Sequence, residues 1–292
     1  MSVSQYFKEF CDNLRMSNDT ISKIQYRYQQ ITKRINLDYY ISSSSTAHSL
    51  YVGSYGRDTE IFTSDIDVIV QLPYSTYEKF NNYSGNGQSA LLQEVKSVLN
   101  KTYSTSNSKG DGQVIAIKFT DGIDFEILPA FVCEDNSFIH ANANSGGSWA
   151  NTNPRKEIEA IRARNVEVNY NLKRLCRMIR AWKVKCNVPL NGILIDTLAY
   201  KFIGNWQYKG ESYLYYDFMS RDFFKYLMDI PASQSFWFKP GSGTMILKSG
   251  DFQYKAKQAY NKSIEAIKSE SDGYHNTSKM KWREIYGTKF PS

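Results

Sequence analysis

The chain has 292 residues, 41% of them hydrophobic, and a formal net charge of +7; that length suits one large domain or two tightly packed ones, and the basic balance suits a polyanion such as a nucleoside triphosphate or nucleic acid. No apolar run approaches the roughly 20 residues of a membrane span, and the opening MSVSQYFKEFCDNLRM mixes charges into its apolar residues, unlike a signal peptide. Four scattered cysteines (Cys11, Cys133, Cys176, Cys186) and three distant histidines (His48, His140, His275) argue against a zinc site or a disulfide scaffold and for a reducing cytoplasm.

Residues 1–40 read as two helices. Tyr6, Phe7, Phe10, Cys11 and Leu14 recur at helical spacing, and Ser17-Asn18-Asp19 offers caps for a second helix through Ile21, Ile24, Tyr28, Ile31 and Ile35. A serine-rich connection leads to a short strand at Leu50–Val52 and then to the small-residue turn Gly53-Ser54-Tyr55-Gly56. Asp65 to Leu72 reads as a strand. Its period of two puts Asp65 and Asp67 on one side and Ile66 and Val68 on the other. After Pro73 a loop is expected at residues 74–77, then a flexible polar tract (81–87), a helix at Leu91–Leu99 and an exposed loop at 103–112. Val114–Thr120 and Ile123–Val132 read as strands joined by the Asp121-Gly122 turn, which places Asp124 and Glu126 on one face of the second. Residues 137–154, rich in Asn, Gly and Ser, read as irregular. There Trp149 is more simply an anchor than a base-stacking platform, and Asn153 before Pro154 is a helix cap.

From Pro154 onward the pattern is helical, with stretches at 155–168, 170–185, 191–203, 218–228 and 251–269. A break falls between Asp229 and Gly243, and a structural aromatic tail (Trp282, Tyr286, Phe290) closes the chain. Lys and Arg are spread along the chain, so no nucleic-acid arm, and no obligatory nucleic acid, is inferred.

The chemistry concentrates at Gly53–Asp67. Two carboxylates on one strand face, just after a glycine-rich turn, suit a hard divalent cation and a phosphate chain together. Gly53 and Gly56 let the backbone approach closely, and Ser54 offers a hydroxyl. Asp124 lies 124 − 67 = 57 residues beyond Asp67, again in an apolar run. The bland alternative is a pair of strand-end aspartates capping turns.

Gly-Ser, a spacer and Asp-x-Asp together resemble the signature of polymerase-beta-like nucleotidyltransferases. GGSWANTNPRKE (Gly146 to Glu157) and WREIYGTKFP (Trp282 to Pro291) resemble segments of the bacterial cyclic GMP-AMP synthase-like members, the CD-NTases. The resemblance runs from about Tyr51 to the end. It implies an α/β fold, a polymerase-beta-like core with a mixed sheet packed against a helical C-terminal lobe. The expected divisions are bracing helices (1–40), catalytic core (41–153) and helical lobe (154–292).

By the same resemblance Asp65, Asp67 and Asp124 would be catalytic and hold Mg²⁺ or Mn²⁺, and Gly53 and Ser54 would seat the β- and γ-phosphates. Arg180, with Lys183 second, would meet the triphosphate, and Asn191 stands where relatives carry a small polar phosphate contact. The implied activity is synthesis of a cyclic oligonucleotide, a cyclic dinucleotide foremost, from ATP, GTP, UTP or CTP. The implied setting is a cytoplasmic monomer in anti-phage defence whose product a separate effector protein reads. The alternatives are an RNA- or protein-directed nucleotidyltransferase and a catalytically inactive nucleotide sensor; retention of all three aspartates speaks against the last.

Overall fold

A computed structural model describes residues 2–62, 65–103 and 107–292, with backbone alone for 107–111. The chain divides into two compact units. A helical unit comprises Met1–Arg15, Asp58–Phe62 and Glu159–Ser292, and a sheet unit comprises Met16–Arg57 and Thr63–Ile158. The expected N-terminal pair of helices is therefore split: α1 (Val3–Asn13) counts with the helical unit and α2 (Asn18–Tyr39) with the sheet unit. The boundary near residue 154 falls instead inside a helix, α6 (Pro154–Glu167).

The sheet unit is built on β1 (Ser49–Tyr51), β2 (Asp65–Gln71), β3 (Asn107–Asp111), β4 (Val114–Lys118), β5 (Asp124–Val132), β6 (Phe138–Asn142) and β7 (Ser148–Thr152). Order β1-β2-β5-β4-β3 forms the main path, and β6 joins β5 and carries β7. β2 and β5 run parallel; the other pairs are antiparallel. β5 is central. One of its edges pairs with β2 along Asp124–Ala130, while the other takes β4 at Phe125–Ile127 and then β6 from Ala130. Pro129, which has no N–H to give a ladder, falls in the gap between those two partners.

Periodicity sorts the two sheet faces. Ile66, Val68, Val70, Phe125 and Ile127 are fully buried beside Ile115 and Ile117 and under Ile24, Ile31 and Ile35 of α2 and Leu91, Leu92, Val95 and Leu99 of α5 (Gly87–Asn100). At about 1.5–3 kcal/mol for each buried aliphatic side chain, this layer outweighs any local preference of the strands. The opposite face carries a smaller cluster of Val52, Ile69, Ala130 and Phe138. The acidic ends of β2 and β5 lie on that second face.

Several expected loops are ordered elements. Residues 74–77 open α4 (Tyr74–Asn81), whose Phe80 is buried. The 103–112 segment contains β3, paired to β4 along its length; residues 104–106 lie outside the description. The 137–154 segment is the β6–β7 hairpin, with Phe138 and Ala141 buried. Its polar composition hid it, because β7 is half-exposed and shows no apolar alternation. Trp149 does anchor this hairpin. Its indole N–H donates to Asn81 Oδ1 at 3.0 Å, and its ring lies 5.0 Å from that of Tyr77.

The helical unit adds α7 (Asn171–Cys186), α8 (Gly192–Asn205), α9 (Tyr216–Met228), α10 (Gln253–Ser271) and α11 (His275–Tyr286). The break between helices holds a hairpin of β8 (Phe236–Phe238) and β9 (Met245–Leu247). Among the described residues no helix is long and apolar enough to cross a membrane.

Candidate active site

Parallel pairing of β2 with β5 sets Asp65 opposite Asp124 and Asp67 opposite Glu126. Adjacent strands lie about 4.8 Å apart, so four carboxylates crowd the start of one sheet face. Glu126, which the sequence places on the same strand face as Asp124, thereby joins the set through Asp67. Farther along the same face the residues become apolar (Ile69, Leu128, Ala130), which leaves the acids at the start of the face with a small apolar cluster beyond them.

The Gly53–Gly56 turn is the start of α3 (Gly53–Arg57), and each glycine is demanded by what it faces. Gly53 sits at φ +60°, and a Cβ there would fall 1.8 Å from Asp67 Oδ2. Only glycine combines that backbone conformation with that contact. A Cβ on Gly56 would meet the Tyr51 carbonyl oxygen at 2.4 Å, where the Gly56 N–H already donates to Val52 O at 2.8 Å. The Val52 N–H in turn donates to Asp67 O at 2.9 Å. Ser54 follows Gly53 in this helix, so Gly53, Ser54, Asp65, Asp67 and Asp124 are brought together in one unit.

Electrostatics single out Asp67. Burial raises its pKa; the Arg57 guanidinium works against that rise, and the neighbouring Asp65 carboxylate adds to it. Arg57 is itself buried and faces Glu157 Oε2 at 3.7 Å, both side chains being less than a tenth exposed. Sequence reasoning did not single out Arg57 or Glu157. The signal available was an arginine four residues after Gly53, at the close of the turn. Asp124 is oriented by the backbone, its Oδ1 accepting from Phe119 N at 2.9 Å.

The donor set is all carboxylate, the hard-oxygen chemistry preferred by Mg²⁺ and Mn²⁺. Among the described residues no three Asp, Glu, His or Cys side chains converge enough to enclose an ion by themselves. Magnesium usually takes one or two carboxylates and completes its shell with substrate phosphates and water. By that standard, and with Asp67 crowded by a second carboxylate, the residues fit such an ion.

The remaining candidates lie in the helical unit. Arg180 is buried; its Nη1 donates to Asp196 Oδ1 at 2.6 Å and its Nη2 to Gly192 O at 3.1 Å. Asp196 also accepts from Thr59 Oγ1 at 2.9 Å, so this cation serves an internal network. Asn191 caps α8, its side chain accepting from Leu194 N at 2.8 Å. Lys183 is half-buried on the last turn of α7.

Comparison with known proteins gives consistent results. The profile of the Second Messenger Oligonucleotide or Dinucleotide Synthetase domain matches residues 1–165. A probable cyclic nucleotide synthase of Bacillus cereus (strain VD146) is 24% identical over 180 residues, 58% of this chain and 52% of the relative. The match thus spans about half the length of that relative. Among solved structures, E. coli MS115-1 CdnC with ATP superposes at a TM-score of 0.68, with 15% identity and 99% of each chain covered. Vibrio cholerae DncV, a cyclic AMP-GMP synthase, gives 0.64 at 14% identity, over 99% of this chain and 87% of its own. These superpositions bear out the expected polymerase-beta-like fold with a helical lobe.

Proposed function

The chain belongs to the Second Messenger Oligonucleotide or Dinucleotide Synthetase family, and we propose that it joins nucleoside triphosphates into a cyclic oligonucleotide, in the simplest case a cyclic dinucleotide. The observation that carries this reading is the register of Asp65 with Asp124 and of Asp67 with Glu126 beside the Gly53 turn. A hydroxyl of one nucleotide attacks the α-phosphorus of another, the bond to the β-phosphate oxygen breaks, and pyrophosphate leaves. A second transfer closes the ring.

Asp65 and Asp67 would hold Mg²⁺ or Mn²⁺ at the donor triphosphate, with Asp124 on the side of the attacking hydroxyl. When bound, such ions neutralise phosphate charge and lower the pKa of that hydroxyl. Gly53 keeps the approach to the backbone N–H groups clear, and Ser54 would donate its hydroxyl to a phosphate oxygen. The Arg57 guanidinium offsets part of the burial cost of Asp67 and favours its charged form. The product would be read by a separate effector protein in defence against phage, as the family resemblance implies.

The test is incubation of the purified chain with all four labelled NTPs and Mg²⁺ or Mn²⁺, then phosphatase treatment and chromatography. A phosphatase-resistant product made by the wild type and not by Asp65→Ala/Asp67→Ala is the expected result. Omission of one NTP at a time names the bases. Nucleotide binding that persists with no turnover, even with cell extract added, would instead establish a sensor.

A further inference from the structure

A pocket of about 150 Å³ in the helical unit is lined by Cys11, Asp12, Arg15, Arg174, Arg177 and Tyr213. Three guanidiniums thus face one small space. Arg174 and Arg177, three residues apart on α7, share a face of that helix. Arg177 is buried, Arg174 half-buried and Arg15 exposed.

The positive charge is poorly matched. Arg177 is occupied by the Asp58 carboxylate and by the carbonyls of Asp58 (2.7 Å) and Glu60 (3.0 Å), and Lys173 shares that same carboxylate at 3.0 Å. Arg174 donates to neutral acceptors, Tyr216 Oη at 3.3 Å and Asn169 O at 3.4 Å, and lies 4.8 Å over the Tyr213 ring. Among the described residues neither Arg174 nor Arg15 pairs with a carboxylate. Among the described residues the one acid lining the space is Asp12, which Lys8 shares at 2.7 Å. A partly buried cation without a counter-charge is costly, and an anion in the pocket would offset that cost.

Size and donor type define the anion. The volume is below the roughly 300 Å³ at which pockets for drug-sized ligands begin. Planar guanidinium forks match the oxygens of phosphate in bidentate fashion. The Cys11 thiol, which burial pushes up to about 12, stays neutral and adds no competing charge. We propose that this pocket binds a small phosphate-type oxyanion, orthophosphate or pyrophosphate, at a site separate from the carboxylate cluster of the sheet unit. The proposal does not depend on the activity assigned above.

Titration calorimetry of the full chain in EDTA, with sodium phosphate and with sodium pyrophosphate at constant ionic strength, tests it and separates the two anions. Saturable binding of at least one of them is expected, weakened tenfold or more in Arg174→Met and several-fold in Arg15→Met, whose exposed position spares the fold. Binding should persist in Asp65→Asn/Asp67→Asn. No saturable binding to the wild type, equal binding to both arginine variants, or loss in the double aspartate variant would overturn the proposal.

Discussion

At the scale of single residues the site turns on Gly53. Its left-handed φ and its contact with Asp67 Oδ2 meet at one atom, so any side chain there must displace the carboxylate or the turn. We expect Gly53→Ala to cut nucleotidyl transfer by about 100-fold or more while costing at least the roughly 1–3 kcal/mol of αL strain for a non-glycine residue, to which displacement of the Asp67 carboxylate adds. Steady-state rates beside a urea titration check the pair of outcomes. Equal rates in the variant would remove Gly53 from the mechanism. Both the glycine and the aspartates were legible in the sequence, because each signal is local: a small-residue turn, then two acids at strand period. Arg57 was not legible as a support. The carboxylates around it, Asp67 and, a hundred residues farther on, Glu157, are brought to it only by the fold.

At the scale of elements, the segment Asp58–Phe62 links α3 to β2 in sequence yet counts with the helical unit. Lys173 and Arg177 of α7 hold Asp58, and Thr59 donates to Asp196. Within this segment burial pushes the Glu60 carboxyl up to about 7, with Arg177 opposing and Asp58 reinforcing the shift, and its Oε2 is a buried atom without a partner. A carboxyl with a higher pKa folded than unfolded binds its proton more tightly in the folded chain. Its contribution is therefore most favourable below about 4.5 and is lost as pH rises from there through about 7. The full shift corresponds to about 3 kcal/mol, an upper bound for a group not wholly enclosed. Glu60→Gln should flatten the stability profile between pH 4.5 and 8, read by thermal melts across that range. An unchanged profile would show that Glu60 ionises freely in the native chain.

The same scale shows where periodicity misleads. β2, β4 and β5 announce themselves by alternating apolar residues, and the β4–β5 hairpin by Asp121-Gly122, where Arg27 also grips Asp121 at 2.8 Å. β7 carries few buried side chains and is ordered by pairing with β6, while the three-residue strands of the β8–β9 hairpin are too short to show a period even though Trp237 and Ile246 are buried in the core. Arg180 was expected at a triphosphate on the strength of family resemblance. Its observed partner, Asp196, is 16 residues away on the next helix, and sequence spacing alone does not show that the two side chains meet.

At the scale of the whole chain, the two ends of the sequence share one aromatic cluster in the helical unit. Phe7 of α1 lies 5.2 Å from Trp282 and 5.2 Å from Phe290, and Phe10 lies 4.7 Å from Tyr286, whose hydroxyl donates to Ser220 Oγ at 2.8 Å. Phe7 is fully buried. We expect Phe7→Ala to cost about 3–5 kcal/mol through the cavity it leaves, measured by chemical denaturation followed through tryptophan fluorescence. A loss under 1 kcal/mol would mean that α1 is dispensable to this core.

The sequence by itself determined the elements whose signals are short-range: the helical N-terminal stretch, the glycine turn, the acid-bearing strands and the aromatic tail. It also carried the family, through motifs that need no partner to be read. Only the tertiary structure decided that Asp124 stands opposite Asp65, that α1 and α2 belong to different units, and that Arg180 pairs with Asp196. The physical reason is the same in each case. Side-chain periodicity is fixed by neighbours a few residues away, whereas strand register and buried ion pairs are fixed by groups that only folding brings within a few ångströms.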